Sequence, residues 1–505
     1  MGKENKKIGT TMIFGVIPVA LSIGINFTLT PYITNSVGTE AYGFVSLAKS
    51  FTSYANIFMV ALNSYAARYL SIAYINKKEK DFERYFSTAF LADVFVGGVL
   101  FIIGLICVVK LDSFLNISPE LVVDVKLLFS FTFFAFFLTT INTVFYASAY
   151  IKDHLDYANM IKTVAYVIEA AILLFCFIIY DASIWYVSIA SVAMAAFTLI
   201  SSYAMSKKLL PEAHISLNVF SMNTLKRLIK SGLWNSINSL GNGLNSGFDL
   251  LMANTMLNGT AMGQISIAKT LTSIIFQLYD AMSQAFHPIF LRKYAEGDKE
   301  SLLCDIKRAM SICGLFTNVV LAGFCAVGKD FLELWIPTQD TALIYRLVII
   351  ALFPAIFEGC IYPAYYIYTL TLKNKFPCLI TVLGGMVNIV SMYLLLKYMF
   401  MGAYAVLFTT AVVMSFINLV TNPLYMSKCL KIHKISLYPI FLKNIIAFMI
   451  TTVMLIFVSR FLNFSLSWVT LFVKIVILAI IGVTIQLPVV FGKDILCEVI
   501  GVENR

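Results

Sequence analysis

Apolar residues run through this chain in long blocks, separated by short polar segments at fairly regular intervals. A helix needs about 20 apolar residues to cross the hydrocarbon core of a bilayer. On that rule the pattern predicts about fourteen spans, near 11–33, 42–66, 85–109, 121–147, 160–180, 182–205, 230–256, 262–289, 307–328, 341–369, 376–397, 401–426, 438–460 and 466–491. The narrowest division is a turn around Asp181, between the fifth and sixth. The first run follows Lys3, Lys6 and Lys7 as a signal peptide would. It is longer than a signal core of roughly 7–15 residues and ends at no A-x-A site, so it reads as a transmembrane helix. The expected fold class is an all-α polytopic membrane protein.

One phrase occurs twice in these blocks. "AYGFVSLAKS" (Ala41 to Ser50) opens the second span, and "AMGQISIAKT" (Ala261 to Thr270) opens the eighth, 220 residues later. Gly43/Gly263, Ser46/Ser266, Ala48/Ala268, Lys49/Lys269, Thr52/Thr272 and Ser53/Ser273 are identical without a gap. A fainter echo pairs "YIKDH" (150–154) with "TLKNK" (371–375). Six spans separate the copies, so both halves run the same way through the membrane. The expected organisation is two parallel six-helix lobes, 1–215 and 216–427, with two additional helices in 428–505. Parallel repeats of this kind typically place a substrate path at their interface and work by rocking one lobe against the other.

The polar residues inside the spans fall in stripes. In "SGLWNSINSLGNGLNSGFDLLMAN" (Ser231 to Asn254), Asn235, Asn238, Asn242, Asn245 and Asp249 recur at spacings of 3, 4, 3 and 4, on one helix face. Lipid cannot satisfy such a face, which must meet other helices or line a wet cavity. The eighth span repeats the pattern with Lys269, Ser273, Gln277, Asp280, Gln284 and His287, and the second has Lys49, Ser53, Asn56, Asn63 and Arg68. Lys49 and Lys269 each lie about 10 Å from the outer end of their helix, at 1.5 Å per residue. Two readings stand for them: snorkelling to the surface, or facing the seam between lobes to meet an anion. Arg68 reads either as a substrate contact or as a cytoplasmic anchor. Glu169 and Glu358 are intramembrane acids that could pair with a cavity cation or bind the H+ or Na+ that drives transport, a role for which Asp249 and Asp280 compete. Lys474 has no partner visible in the sequence. Pro18, Pro354 and Pro363 predict kinks.

Composition agrees with the membrane reading. Of 505 residues, 60% are hydrophobic and 13% charged, against about 45–50% and 25% in soluble domains. The net charge of +10 is concentrated in alternate loops, such as Lys77–Lys80, Lys207/Lys208, Arg292/Lys293 and Lys428–Lys434. By the positive-inside rule this places both termini in the cytoplasm and makes anionic lipid headgroups, rather than nucleic acid, the expected neighbours. Nine cysteines and four histidines show no metal-ligand spacing, so neither a metal nor an organic cofactor is expected. No P-loop, H-E-x-x-H or G-x-S-x-G occurs, and every loop is too short to hold a soluble active site, which argues against an enzyme.

"NSVGTEAYGFVSLAKSFTSYANIF" (35–58) resembles the first loop and second helix of Wzx-like polysaccharide flippases of the multidrug/oligosaccharidyl-lipid/polysaccharide (MOP) exporter superfamily, through Gly38, Glu40, Tyr42 and Gly43. The second copy keeps Gly259 and Gly263 but lacks the acid. The resemblance implies flipping of undecaprenyl-pyrophosphate-linked oligosaccharides across the bacterial cytoplasmic membrane, for capsule, O-antigen or related polymers. Glycosyltransferases and a polymerase would be its partners. It also implies a central cavity lined by basic residues, for which Lys49, Arg68 and Lys269 are the candidates, with the Asn stripe and His287 beside them. The alternatives are a multidrug exporter or a lipid II flippase of the same superfamily and, more distantly, a membrane-bound polymerase or ligase.

Overall fold

The computed structural model describes the backbone of residues 2–462 and 464–500, and the side chains of 17–462 and 464–491. The basic residues Lys3, Lys6, Lys7 and Lys493, and Cys497, lie outside the described side chains. The helices in chain order are α1 (Gly2–Ser36), α2 (Thr39–Asn63), α3 (Ala66–Ile75), α4 (Glu79–Val109), α5 (Leu111–Phe114), α6 (Val122–Ile151), α7 (Leu155–Ile179), α8 (Trp185–Leu209), α9 (Met222–Ser246), α10 (Phe248–Met256) and α11 (Gly259–Gln284). They continue as α12 (His287–Glu296), α13 (Lys299–Trp335), α14 (Thr341–Leu352), α15 (Ala355–Ile361), α16 (Tyr366–Thr371), α17 (Lys375–Tyr398), α18 (Ala403–Phe416), α19 (Asn422–Leu430), α20 (Tyr438–Phe461) and α21 (Trp468–Ile500).

Among the described residues, twelve helical segments are long and apolar enough to cross a membrane. They correspond to the expected spans except the seventh and eighth. Those two segments form α9/α10 and α11, helices of spanning length whose polar stripes leave them short of the required apolarity. The first span is described from Ile17 to Ser36, and the earlier part of the expected run, 11–16, lies outside the described side chains.

Proline shapes the long helices where it removes a backbone donor. Between α14 and α15 the helix breaks at Phe353–Pro354, and Pro363 sits in a 3-10 turn, Tyr362–Tyr365. Ahead of Pro423 the turn Ile417–Thr421 widens to π geometry, a form often found at functional sites. Pro18 and Pro31 stay inside α1.

The chain forms two compact units, Met1–Ser266 and Ile267–Arg505, with the division inside α11. These are units of compactness and do not measure the repeat boundary expected at 215/216. In the first unit α6 packs along α8, α4 against α6, α1 against α7 and α2 against α9. One apolar core of this unit joins Leu70, Phe82, Phe86, Phe145, Leu210 and Leu228. In the second unit α13 is the hub, covered by α15, α20 and α21. Here the structure corrects one reading: Lys474 of α21 does have a partner, Asp330 of α13, at 3.0 Å. The pair ties one of the two additional helices to the hub.

Two of the remaining lysines are neutralised locally. Lys126 binds Asp112 at 2.9 Å, and Lys329 lies 3.7 Å from Glu333. The hydrogen bond from Lys126 holds the Asp112 carboxyl below the usual carboxylate range.

Candidate functional site

The repeated phrase is built for close packing before it is built for chemistry. Gly38 has φ +113°, a conformation that a side chain would strain, and it starts α2. Glu40 accepts hydrogen bonds from the Ser118 N–H (2.9 Å) and hydroxyl (2.7 Å), fixing the loop after α5. Thr30 of α1 donates to the Tyr42 hydroxyl at 2.9 Å. At the centre, a Cβ on Gly43 would lie 2.9 Å from the Gly263 nitrogen, and one on Gly263 would lie 2.0 Å from the Thr39 carbonyl oxygen. The paired glycines of the two copies are thus packed on one another's helix, which explains why both positions carry no side chain.

Lys49 follows this contact by less than two turns. Its side chain is exposed, and Nζ donates to Asn26 Oδ1 of α1 at 3.0 Å. Glu169 of α7 is half-buried, accepts from the Ser191 hydroxyl of α8 at 3.0 Å, and lies within electrostatic reach of Lys49. Lys49, Asn26, Glu169 and Ser191 therefore form a polar chain across α2, α1, α7 and α8. The lysine meets a neutral amide directly, and the acid stands behind it.

The Asn stripe lies on α9, and the structure separates its chemistry from its packing. Gly232, Ser236, Gly243 and Gly247 share one face and carry the contact with α2. A Cβ on Gly232 would lie 2.1 Å from the Ala61 carbonyl oxygen, the Ser236 hydroxyl donates to the Ile57 carbonyl at 2.7 Å, and Gly247 abuts the Tyr54 ring. Asn235, Asn238, Asn242 and Asn245 lie roughly 130° around the helix, at about 100° per residue. Asn235 and Asn238 are half-buried and Asn242 is exposed, and their amides bond to no protein group among the described residues. Small residues thus hold α9 to α2, while these three amides are available to something else. Asn245 differs: it is buried and donates to the Gly241 carbonyl at 2.9 Å. Asp249 differs too. It follows Gly247, at the boundary with α10, and is buried and within electrostatic reach of Tyr54. Gly247 keeps helical φ/ψ and its N–H bonds to the Gly243 carbonyl at 2.7 Å, so Asp249 follows Asn245 in helical register across the α9/α10 boundary.

In the second unit Lys269 is half-buried in α11 and Asp280 is exposed, accepting from Gln284 Nε2 at 2.7 Å. His287 stands beyond the end of α11, as the first residue of α12. Its ring stacks on Tyr366 at 4.1 Å and its Nε2 lies 3.3 Å from the Ser283 hydroxyl. Glu358 of α15 is buried at 7% exposure, with Oε2 lacking a hydrogen-bond partner, and with Tyr279, Tyr362 and Tyr365 within electrostatic reach. Tyr365 in turn donates to Asn418 in the π turn.

Arg68 is exposed near the start of α3. Its neighbour Tyr69 bonds with the Ser231 hydroxyl at 2.8 Å and stacks on Tyr85 at 5.3 Å, with the Arg227 guanidinium 5.1 Å from its ring centroid. Neither Arg227 nor Asn26 stands among the candidate site residues read from the sequence alone. A lone amide in the first apolar run was the available signal for Asn26. For Arg227 there was none, because its partners come from two other helices. No group of three or more His, Cys, Asp or Glu residues among the described residues could hold a metal ion.

Residues 12–293, more than half of the chain, match the family model described as polysaccharide biosynthesis protein. Over 426 residues, covering 84% of this chain and 83% of the relative, the sequence is 28% identical to the uncharacterized membrane protein EpsK of Bacillus subtilis (strain 168). Among solved structures, the fold is similar to the lipid II flippase MurJ in an inward closed conformation, with TM-score 0.70 and 12% identity over 97% of this chain and 99% of that one. It is also similar to an inward-facing multidrug resistance MATE family transporter of the MOP superfamily, with TM-score 0.63 and 14% identity over 83% and 99% of the two chains. At such identities these likenesses show the fold alone.

Proposed function

The chain belongs to the polysaccharide biosynthesis protein family, and on that premise we propose that it flips an oligosaccharide linked to undecaprenyl pyrophosphate across the bacterial cytoplasmic membrane. The observation that carries the reading is Lys49. It is an exposed cation inside an apolar helix, bonded to a neutral amide. A charge in a membrane span is costly, at least about 2.5–3.5 kcal/mol at mid-bilayer on insertion scales, and is tolerated where function uses it. A pyrophosphate is the anionic group such a lysine suits.

In this reading Lys49, Lys269 and Arg68 bind the pyrophosphate. Asn235, Asn238 and Asn242 offer amides to sugar hydroxyls, since an amide both donates and accepts as a hydroxyl does. Asn245 backs them from within the helix. Access alternates between the two membrane faces, driven by H+ or Na+, with Glu169, Glu358, Asp249 and Asp280 as the candidate ion carriers. The basic loops hold both termini in the cytoplasm. Glycosyltransferases build the substrate on the inner face and a polymerase consumes it outside.

Deleting the gene and complementing it tests this reading. Lipid-linked oligosaccharide should accumulate and surface polysaccharide should fall, with both restored by the wild-type chain. A change in drug resistance with the surface glycan untouched would instead indicate a multidrug exporter.

A further inference from the structure

One acid takes no part in the groups above. Asp93 sits near the middle of α4 and is fully buried, at 0% exposure. Its Oδ1 accepts a 2.7 Å hydrogen bond from Nδ2 of Asn63 in α2. Its Oδ2 and the Asn63 Oδ1 are both buried without a hydrogen-bond partner. Among the described residues, no charged or titratable side chain pairs with this carboxyl from α2, α3, α6 or α9, the long helices packed against α4.

A single proton answers both orphaned atoms. On Asp93 Oδ2 it turns an acceptor into a donor, and Asn63 Oδ1 is an acceptor that lacks one. Carboxyl and amide then match as a two-bond pair, N–H to acid oxygen and O–H to amide oxygen. A bare carboxylate leaves two buried acceptors unsatisfied instead.

The pair also has access and leverage. A crevice of about 280 Å³, lined by Asn56, Asn63, Ser64, Thr139, Thr140 and Thr143 among others, opens beside it. Thr140 Oγ1 lies against Gly97, one turn along α4 from Asp93. Asn63 is the last residue of α2, and the chain turns at Ser64–Tyr65 before α3. Gly232 seats α9 on Ala61 and Ser64 at this same joint.

We propose that Asp93 is a proton-binding site whose proton is shared with Asn63, and that its release loosens the α2–α3 joint and the seat of α9. Its use as the driving ion rests on the transport reading above, whereas proton binding is measurable without any substrate. The test is infrared difference spectroscopy of the full-length protein in lipid nanodiscs, between alkaline and acidic buffer, with and without Na+.

A protonated-carboxyl carbonyl band should appear on acidification, disappear in Asp93→Asn and persist in Glu358→Gln. Asn63→Leu should shift it, since the hydrogen-bond partner is lost. Asp93→Asn keeps size and supplies an N–H donor, so its elution profile should match the wild type. An acidification band unchanged by Asp93→Asn would overturn the proposal. So would a wild-type carboxylate that answers to Na+ at fixed pH and not to acid. Loss of sugar-lipid flipping with the band intact would count against the transport reading and leave the proton site standing.

Discussion

The polar groups around Lys49 in the first unit and around Glu358 in the second are opposite solutions to the same problem. Near Lys49 and along α9 the side chains are amides, a cation and the half-buried Glu169, and three of the amides bind no protein group among the described residues. Near Glu358 the surroundings are tyrosines, a π turn and apolar packing, and the carboxyl is buried. An open amide face suits a large hydroxylated ligand, whereas a carboxyl closed in among aromatic rings admits nothing larger than a small ion. Chemistry that looks similar in the sequence, as polar letters in apolar runs, thus divides by accessibility.

The widest gap between the two regions should appear in thiol labelling. Asn242→Cys, in a chain whose other cysteines except Cys360 are replaced, should react with a water-soluble reagent on the order of 100-fold faster than Cys360, which is fully buried beside Glu358. Equal rates would erase the distinction.

The α9 helix carries the same contrast on two faces. Gly232→Val forces a side chain onto the Ala61 carbonyl and should destabilise the protein by about 3 kcal/mol in micelle unfolding. Lys474→Met removes the ion pair with Asp330 in the second unit. Lys474 is 12% exposed but Asp330 is 39% exposed, so the loss should be only about 1 kcal/mol. Asn242→Ala should change stability least, by under about 0.5 kcal/mol, because its amide holds no helix. A loss as large as that of Gly232→Val would make the stripe packing glue after all.

Much of the fold was legible because the apolar runs are long. Among the described residues twelve expected spans are present as such, and the two that fall short of apolarity are two of the three that polar stripes had marked. The breaks were less legible. Pro354 and Pro363 announced theirs, but nothing local marks the turn after Asn63. Site residues were legible one at a time and their pairings were not. Lys49 meets Asn26 on a neighbouring helix, and Lys474 meets Asp330 from 144 residues away, distances over which spacing carries no signal. The repeat itself was read through its lysines, yet the structure accounts most fully for its glycines.

The central claim is that Lys49 and its copy Lys269 meet an anionic, sugar-bearing lipid. Its most direct test is flipping of a pyrophosphate-linked oligosaccharide in vesicles reconstituted with wild-type, Lys49→Ala/Lys269→Ala and Lys49→Arg/Lys269→Arg protein. Losing two charged contacts worth roughly 1.5–3 kcal/mol each should slow the alanine variant by on the order of 100-fold or more, with substantial recovery in the arginine variant. Normal flipping by the alanine variant, at normal protein levels, would contradict the account.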